Sequence, residues 1–372
     1  MPATFAPRLL FKQQVLIEIP MLAPLALLLV LVTALALACD YYLAPSLIPG
    51  AGLGIFAGRD FAAEEEIASG VTLIAPQSFV VNWQLNNYVY NGDHEGHSML
   101  VFGMAMLLNH MPKPNTNNYW QEENGISELS EQTPFPFTVY RGQAYHAAQP
   151  IRQGEEIFGY YGDSDWFTDR GIAFNSSESL GSLVQEMSSL ETGGFCLSDF
   201  VVGPTDIPFC GQGVFSTRSY SEGDLVSVSP ALMLPREEVE AASGDTCVLI
   251  NYCITDPLSN VALLPITTFG LINHGGVDSN LVIALYLWKG INDNEEHRLN
   301  GESKQFADLY ISYRATRNIS AGEELLIDYG SAWVDKWNAF VESGGLFRAP
   351  IEAPEGMFPD QWKVTHQLED EL

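Results

Sequence analysis

Residue types that could hold and orient a ligand occur in a fixed order in the second half of this chain. They are Gly211 and Gly213 of a Gly-Gln-Gly sequence, the adjacent pair Asn273 and His274, and Tyr329, which ends an apolar run and precedes a glycine. Glycine lets a backbone approach a ligand closely. Amide and imidazole groups bind polar atoms, and a tyrosine hydroxyl can position a reacting group. This combination indicates a site that binds and aligns its reactants.

The first half of the chain carries the same set in the same order. The counterparts are Gly52, Gly54, Asn109, His110 and Tyr161. An Asn-Tyr pair recurs as well, ending at Tyr88 and at Tyr252, and 21 positions separate each of these tyrosines from the asparagine that follows. Such matches at a nearly fixed offset predict a duplicated unit of roughly 120–140 residues, too long for a solenoid repeat. We therefore predict two tandem domains of one fold.

Short β-like runs separated by turn residues fill both units. They lie at 54–57, 71–74, 79–81, 144–147 and 156–160, and again at 213–216, 225–229, 261–266, 281–287 and 324–328. Residues 235–243 follow a helical pattern. Many short strands, few helices and no alternation of strand and helix predict a mainly β protein with short helices, of the α+β class.

The motifs resemble those of the SET domain, the fold of many protein lysine methyltransferases. The family order is Gly-x-Gly, Asn-His and then Glu-Leu-Leu-Ile-Asp-Tyr-Gly. Residues 109–115 have the spacing of the family signature Asn-His-Ser-Cys-x-Pro-Asn, and residues 273–280 have it with one residue inserted. The resemblance covers 50–170 and 205–337. It implies two tandem SET-like domains, each with small curved sheets around a threaded, knot-like site.

By this resemblance the cofactor is S-adenosylmethionine. The backbone at Gly211 and Gly213 would approach it closely. Asn273 and His274 would bind its amino-acid and adenine ends, His274 partly through its backbone.

The implied reaction is methyl transfer to a lysine amine. The amine must be neutral and aligned with the methyl group, so the site needs little acid–base machinery. Tyr329 would lie at the methyl-transfer channel, and Tyr252 is a second channel candidate because of its repeated position. Trp333 or Trp337 would either cover the cofactor or pack in the core.

The second half is the better-preserved candidate. The first half has Gly159-Tyr160 where the second has Ile327-Asp328. Its site residues form either a second active site or a partner domain that packs and binds. The second half also departs from the family: Gly275-Gly276 replaces Ser-Cys, and the residue inserted before Asn280 is expected to loosen that loop.

The charge of the chain restricts its partners. Lys and Arg number 17, Asp and Glu number 46, and the formal charge is −29. Such a surface repels phosphates, so direct nucleic acid binding is not expected. It would attract a basic, lysine-containing protein or peptide, or it serves solubility alone. No cysteine pair has the spacing of a zinc site, and no metal is expected.

Residues 21–39 form an uninterrupted apolar run that is long enough to span a membrane. Arg8 and Lys12 precede the run, which places the N-terminus in the cytosol and the domains across the membrane. The alternatives are a cleaved secretory signal, since Ala34-Leu35-Ala36 and Ala36-Leu37-Ala38 resemble cleavage sites, and a buried helix. The localisation is therefore membrane-associated or secretory.

Cysteines and glycosylation sequons bear on the same question. Cys196, Cys210, Cys247 and Cys253 lie in or beside the second unit. They could form two disulfides in a secretory compartment, or remain buried thiols elsewhere. Sequons at 175–177 and 318–320 would matter only in that compartment.

The sequence thus predicts the following organisation: a hydrophobic anchor or signal at 1–45, SET-like domains at 46–170 and 196–345, a linker at 171–195 and a Pro-rich acidic tail at 346–372. The expected function is a SET-type lysine methyltransferase with its better site in the second domain. The alternative is a non-catalytic SET-like binding or scaffold protein tethered to a membrane.

Overall fold

The computed structural model describes residues 39–76, 83–91, 97–120, 139–172, 183–207, 212–242, 249–255, 260–287 and 309–342. Within these ranges no helix combines the length and apolar character needed to cross a bilayer. The apolar run up to residue 38, the expected strand at 79–81 and the tail at 346–372 lie outside the described residues. So do Gly211 and the sequon at 175–177.

Short strands dominate the described residues, which confirms the prediction of a mainly β fold with short helices. The strands are β1 (Tyr41–Pro45), β2 (Leu53–Ala57), β3 (Glu66–Pro76), β4 (Tyr90–Asn91), β5 (His97–Phe102), β6 (Asn109–His110), β7 (Thr116–Trp120), β8 (Val139–Ala147), β9 (Glu156–Gly159), β10 (Phe195–Cys196), β11 (Phe200–Pro204), β12 (Gln212–Ser216), β13 (Leu225–Pro235), β14 (Ile254–Thr255), β15 (Val261–Pro265), β16 (Asn273–His274), β17 (Leu281–Leu287), β18 (Leu309–Ala315) and β19 (Glu324–Ile327).

Helices occupy the connections between strands. The α-helices are α1 (Trp83–Asn86), α2 (Ser164–Thr168), α3 (Met187–Gly193), α4 (Arg236–Ala242) and α5 (Ser331–Glu342). The 3-10 helices are η1 (Met104–Leu107), η2 (Leu249–Tyr252), η3 (Thr268–Leu271) and η4 (Gly276–Asp278). The helix expected at 235–243 is present as α4, whereas α5 was not anticipated.

The two halves have the same sheet topology. In the first half, one sheet has the order β4-β5-β3-β8-β7 and the other contains the order β1-β2-β9-β6. In the second half, the corresponding orders are β14-β15-β13-β18-β17 and β11-β12-β19-β16. The long central strands β3 and β13 even share an irregularity near their starts, at Glu66–Ala68 and Leu225–Ser227. The repeated motifs of the sequence thus occupy equivalent strands.

Residues 41–45 belong to the first-half sheet and not to the N-terminal segment in which the sequence analysis placed them. Strand β1 pairs along its whole length with β2, from Tyr41 opposite Ala57 to Pro45 opposite Leu53. Leu43 and Ala44 are buried there. The folded part of the chain therefore includes residues before position 46.

One core cluster contains buried residues from both halves. At the junction, Phe102 of the first half lies against Gly270 of the second. A Cβ atom on Gly270 would come within 2.6 Å of Phe102 Cε1, and Gly103 N–H donates to the Ile266 carbonyl at 3.4 Å. The described part of the expected linker also packs on the first half, because Leu190 of α3 is fully buried against Ala44 and Phe56.

A disulfide fixes the segment between the halves. Strand β10 adds to the outer edge of β1, with Cys196 opposite Tyr42 and Phe195 opposite Leu43. Cys39 and Cys196, 157 positions apart, form the disulfide. The sequence analysis grouped Cys196 only with cysteines that follow it. Its partner instead precedes β1, because the added strand brings the two chain segments together.

We expect this disulfide to contribute measurably to stability. Strand β10 pairs with β1 through only two residue pairs, and a cross-link over a long loop typically adds about 2–4 kcal/mol. The double substitution Cys39→Ser, Cys196→Ser should lower the free energy of unfolding in urea by about that amount. A reducing agent should destabilise the wild type and not the double variant; equal loss in both would contradict the assignment.

Candidate functional site

The site forms where two distant segments run side by side. Strand β16 pairs in parallel with β19, with Asn273 opposite Leu326 and His274 opposite Ile327. Strand β19 also pairs with β12, so it lies between the Gly-x-Gly strand and the Asn-His strand. Leu325 and Ile327 bury their side chains, which anchors β19 in the core. The structure thus brings the predicted motifs into one small sheet.

The Asn273 amide joins three segments. Its Nδ2 donates to the Gln212 carbonyl at 2.8 Å and to Glu324 Oε1 at 2.9 Å. The second carboxylate oxygen of Glu324 accepts from Thr205 Oγ1 at 2.7 Å. Asn273 Oδ1 accepts no hydrogen bond from the described residues. The side chain predicted to bind cofactor therefore commits its nitrogen to the fold and leaves its oxygen available.

Position 213 must be glycine because another side chain lies directly against its backbone. A Cβ atom at this position would lie 2.2 Å from Glu324 Oε1 and 3.2 Å from Asn273 Nδ2. The sequence analysis assigned this glycine to close approach by a cofactor. In the structure the carboxylate of Glu324 already fills the space beside it.

Asn280 fastens the loop after His274 to β19. The residue is fully buried. Its Nδ2 donates to the Glu324 carbonyl at 2.7 Å, and its Oδ1 accepts from Leu326 N–H at 2.8 Å. The inserted residue was expected to loosen this loop; instead, the turn η4 absorbs it, with Gly276 at φ 53°.

Tyr329 is held at both ends. Its backbone N–H donates to His274 Nδ1 at 3.0 Å, and its hydroxyl donates to the Ile272 carbonyl. Because His274 Nδ1 accepts this bond, it carries no proton in this arrangement. Trp333 packs edge-on against Tyr329, with ring centroids 4.8 Å apart, and lies 5.3 Å from the His274 ring. The aromatic ring of Trp333 thus covers the predicted pair, while the side chain of Trp337 lies outside the described residues.

Tyr252, the second predicted channel tyrosine, contacts the other half of the molecule. Its ring lies 5.4 Å from that of Phe102. The position repeats in the sequence, but the structure places this residue at the junction between the halves.

The first half reproduces the hydrogen bonds of the second. Asn109 Nδ2 donates to the Leu53 carbonyl at 2.8 Å and to Glu156 Oε1 at 3.0 Å. A Cβ atom on Gly54 would lie 2.3 Å from that carboxylate oxygen. Gly52, at φ 76°, forms the turn before β2. Asn109 and Gly54 therefore surround the same carboxylate, whereas Gly52 lies in the turn that precedes them.

The tyrosine of the first half is held in the same way. Tyr161 N–H donates to His110 Nδ1 at 3.0 Å, and its hydroxyl donates to the Leu108 carbonyl at 2.5 Å. The loop is fastened by Asn115, which binds the Glu156 carbonyl at 2.9 Å and Phe158 N–H at 2.7 Å.

The surroundings of the two histidines differ. His110 contacts the rings of Tyr160, Tyr161 and Phe167 at 5.4, 5.5 and 4.8 Å. Burial lowers the pKa of His110 and raises that of Tyr161. In the second half, Asp328 stands where the first has Tyr160, and its exposed carboxylate lies 3.7 Å from His274 Nδ1. Aromatic rings thus contact the histidine in both halves, and an acidic residue replaces Tyr160 at the edge of the second site.

Sequence reasoning missed the two carboxylates at the centre of these networks. Glu156 accepts from Ser46 Oγ at 2.7 Å and from Leu47 N–H at 3.0 Å, as well as from Asn109. Glu324 has the corresponding place in the second half. The signal was present, because the Gly-Glu-Glu sequence recurs just before each tyrosine.

Neighbouring glycines give a matched test of the second network. Gly213 pairs with Gly203 across β11 and β12, and a Cβ on Gly203 would meet nothing closer than 3.7 Å. Gly213→Ala should destabilise the protein by about 1–3 kcal/mol through overpacking against Glu324. Gly203→Ala should change stability by less than about 0.5 kcal/mol. Urea unfolding measures both, and equal effects would contradict the proposed crowding.

Comparison with known proteins supports the sequence resemblance. The SET domain family model matches residues 211–330. The chain is 29% identical over 122 residues to the histone-lysine N-methyltransferase, H3 lysine-37 specific, of Schizosaccharomyces pombe; the match covers 32% of this chain and 71% of that relative.

Solved structures with a similar segment include a proposed histone methyltransferase of Plasmodium falciparum. It is 22% identical with a TM-score of 0.27, over 34% of this chain and 97% of that one. Another is the polycomb repressive complex 2 of Chaetomium thermophilum bound to S-adenosylmethionine. It is 19% identical with a TM-score of 0.28, over 39% of this chain and 17% of that one.

The matched segment 211–330 includes the Asn273–Glu324 network, His274 and Tyr329. These residues therefore lie in the segment that matches the SET domain family model, and this match together with the relative supports a SET-domain protein.

Proposed function

We propose that this protein is an S-adenosylmethionine-dependent protein lysine methyltransferase whose active unit is the SET domain at 211–330. The observation that carries the proposal is the fixed position of Tyr329. Two hydrogen bonds, to His274 Nδ1 and to the Ile272 carbonyl, hold it beside the parallel strand pair. A hydroxyl held in this way is suited to orienting a reacting group.

The residues present fit the proposed cofactor. Asn273 Oδ1 accepts nothing from the described residues, and Ser279 Oγ is buried without a hydrogen-bond partner among them. Oxygen acceptors of this kind suit the ammonium group of an amino acid, and a hydroxyl can also donate to its carboxylate. Asn273, His274 and Ser279 would hold the cofactor, which supplies a sulfonium methyl group when bound.

The hydrogen bond that the Tyr329 hydroxyl donates limits the chemical role of its oxygen to that of an acceptor. The hydroxyl proton is directed to the Ile272 carbonyl, so toward the reactants the Tyr329 oxygen would act as an acceptor of weak CH···O contacts or of an amine N–H. A CH···O contact contributes only about 0.5–1 kcal/mol. Most of the effect of Tyr329 must therefore come from alignment of the lysine nitrogen.

The charge of the protein favours a cationic substrate. The chain carries a formal charge of −29, and Asp328, next to Tyr329, is 63% exposed. This carboxylate would attract a lysine-containing peptide to the edge of the site. The proposed substrate is therefore a basic protein or peptide.

Tyr329→Phe tests the alignment role. We expect methyl transfer to a basic peptide to fall about 10²-fold, equivalent to about 2.7 kcal/mol in the barrier. The dissociation constant of S-adenosylmethionine should change little, because the hydroxyl faces the acceptor amine. Radiolabelled transfer and calorimetry on the purified protein measure the two effects separately.

Two further variants serve as controls for this experiment. Asn273→Ala should weaken cofactor binding before it affects the chemical step. Tyr161→Phe makes the same change in the first half and should have the smaller effect on transfer. If the wild type shows neither transfer nor cofactor binding, the proposal is wrong.

We also propose that the first half is a second SET-like unit that acts as a packing and binding partner. Its strand order and hydrogen bonds match those of the SET domain, which supports common descent by duplication. The rings of Tyr160 and Phe167 contact His110, and Tyr160 stands where the second half has Asp328. These differences favour a role other than methyl transfer.

The alternative is a non-catalytic SET-like scaffold, tethered to a membrane through residues 21–39. The disulfide between Cys39 and Cys196 favours it, because such bonds persist in oxidising compartments, away from the cytosolic pool of the cofactor. Because Cys39 is buried in the folded domain, a span would have to end before it. Calorimetry with S-adenosylmethionine separates the two proposals.

A further inference from the structure

We propose that Asn318 is a site of N-linked glycosylation. It begins the sequence Asn318-Ile319-Ser320, in which an asparagine is followed two positions later by a serine and the residue between them is not proline. The sequence lies in the turn between β18 and β19 of the SET domain. The proposed ligand is an oligosaccharide linked through its terminal sugar carbon to the side-chain nitrogen.

The turn presents the asparagine to solvent. Ile319 is buried and pairs with Tyr220, each backbone N–H donating to the other's carbonyl at 2.9 Å. This bridge directs Ile319 inward and leaves Asn318 and Ser320, its neighbours on either side, exposed. A large substituent on Asn318 would therefore extend away from the core.

The hydrogen bond of Asn318 is compatible with the modification. Its Oδ1 accepts from Glu222 N–H at 3.0 Å, and its Nδ2 has no partner among the described residues. A substituent on the nitrogen leaves the carbonyl oxygen as an acceptor. The glycosylated side chain can thus keep its folded conformation.

Separate features indicate the compartment in which this modification occurs. The disulfide between Cys39 and Cys196 is typical of secretory proteins. Arg8 and Lys12 before the apolar run orient it with the N-terminus in the cytosol. A membrane anchor in that orientation and a cleaved signal both place the rest of the chain in the lumen, so both alternatives expose Asn318 to glycosylation.

The reaction transfers an oligosaccharide from a lipid diphosphate donor. The bond between the sugar C1 and the diphosphate oxygen breaks, a C1–N bond forms to Asn318 Nδ2, and the amide nitrogen loses one proton. The lipid diphosphate is the leaving group. No electrons are exchanged with an oxidant or reductant.

The test uses the full chain expressed in eukaryotic cells with Asn175→Gln as the background, which removes the other sequon. Treatment with peptide N-glycosidase should increase the gel mobility of this protein. Mass spectrometry should find aspartate at position 318 after the treatment. An unchanged mobility would overturn the proposal.

Three substitutions isolate the sequon from the fold. Asn318→Asp keeps the oxygen that binds Glu222 N–H and removes the nitrogen, and Ser320→Ala removes only the hydroxyl; both should abolish the mobility shift. Ser320→Thr preserves the sequon and should retain it. A shift that persists in Asn318→Asp would place the sugar elsewhere and refute the assignment. The result does not depend on methyl transfer, which is measured separately.

Discussion

The candidate sites depend on a carboxylate that is bound from several sides by hydrogen-bond donors. Glu156 is 1% exposed and accepts from Ser46, Leu47 and Asn109. A carboxylate is costly to bury unless such donors satisfy it. Once satisfied, it connects the strand that carries the Gly-x-Gly sequence, the Asn-His strand and the strand that leads to the tyrosine. Glu324 makes the equivalent connection in the SET domain. Each parallel strand pair spans only two residue pairs, so these side chains supply cohesion that the backbone alone does not.

The duplicated network supports two different surroundings. In both halves a histidine accepts from the backbone of a tyrosine, and the tyrosine hydroxyl binds a carbonyl two residues before that histidine. In the first half His110 contacts three aromatic rings, and its burial lowers its pKa. The second half has an exposed aspartate at the equivalent edge. The shared contacts preserve the backbone geometry, and the residues outside the network distinguish the halves.

The halves are joined by more than the chain between them. Phe102 packs against Gly270 and Tyr252, and β10 is both cross-linked to Cys39 and paired with β1. Substitutions of first-half residues at this junction would therefore perturb the SET domain through direct packing contacts. The Cys39–Cys196 disulfide is also typical of proteins in oxidising compartments, where the proposed glycosylation would take place.

The sequence by itself determined the mainly β class, the order of the motifs and their repetition, because strand runs, turn glycines and side-chain types are local properties. The repeated spacing also predicted that Asn109 corresponds to Asn273 and that Tyr161 corresponds to Tyr329. Only the tertiary structure decided that Glu324 fills the space beside Gly213 and that Tyr252 faces Phe102. It also decided that Cys196 joins Cys39. These contacts join residues far apart in the chain, and they follow from which strand edges meet, which local patterns do not encode.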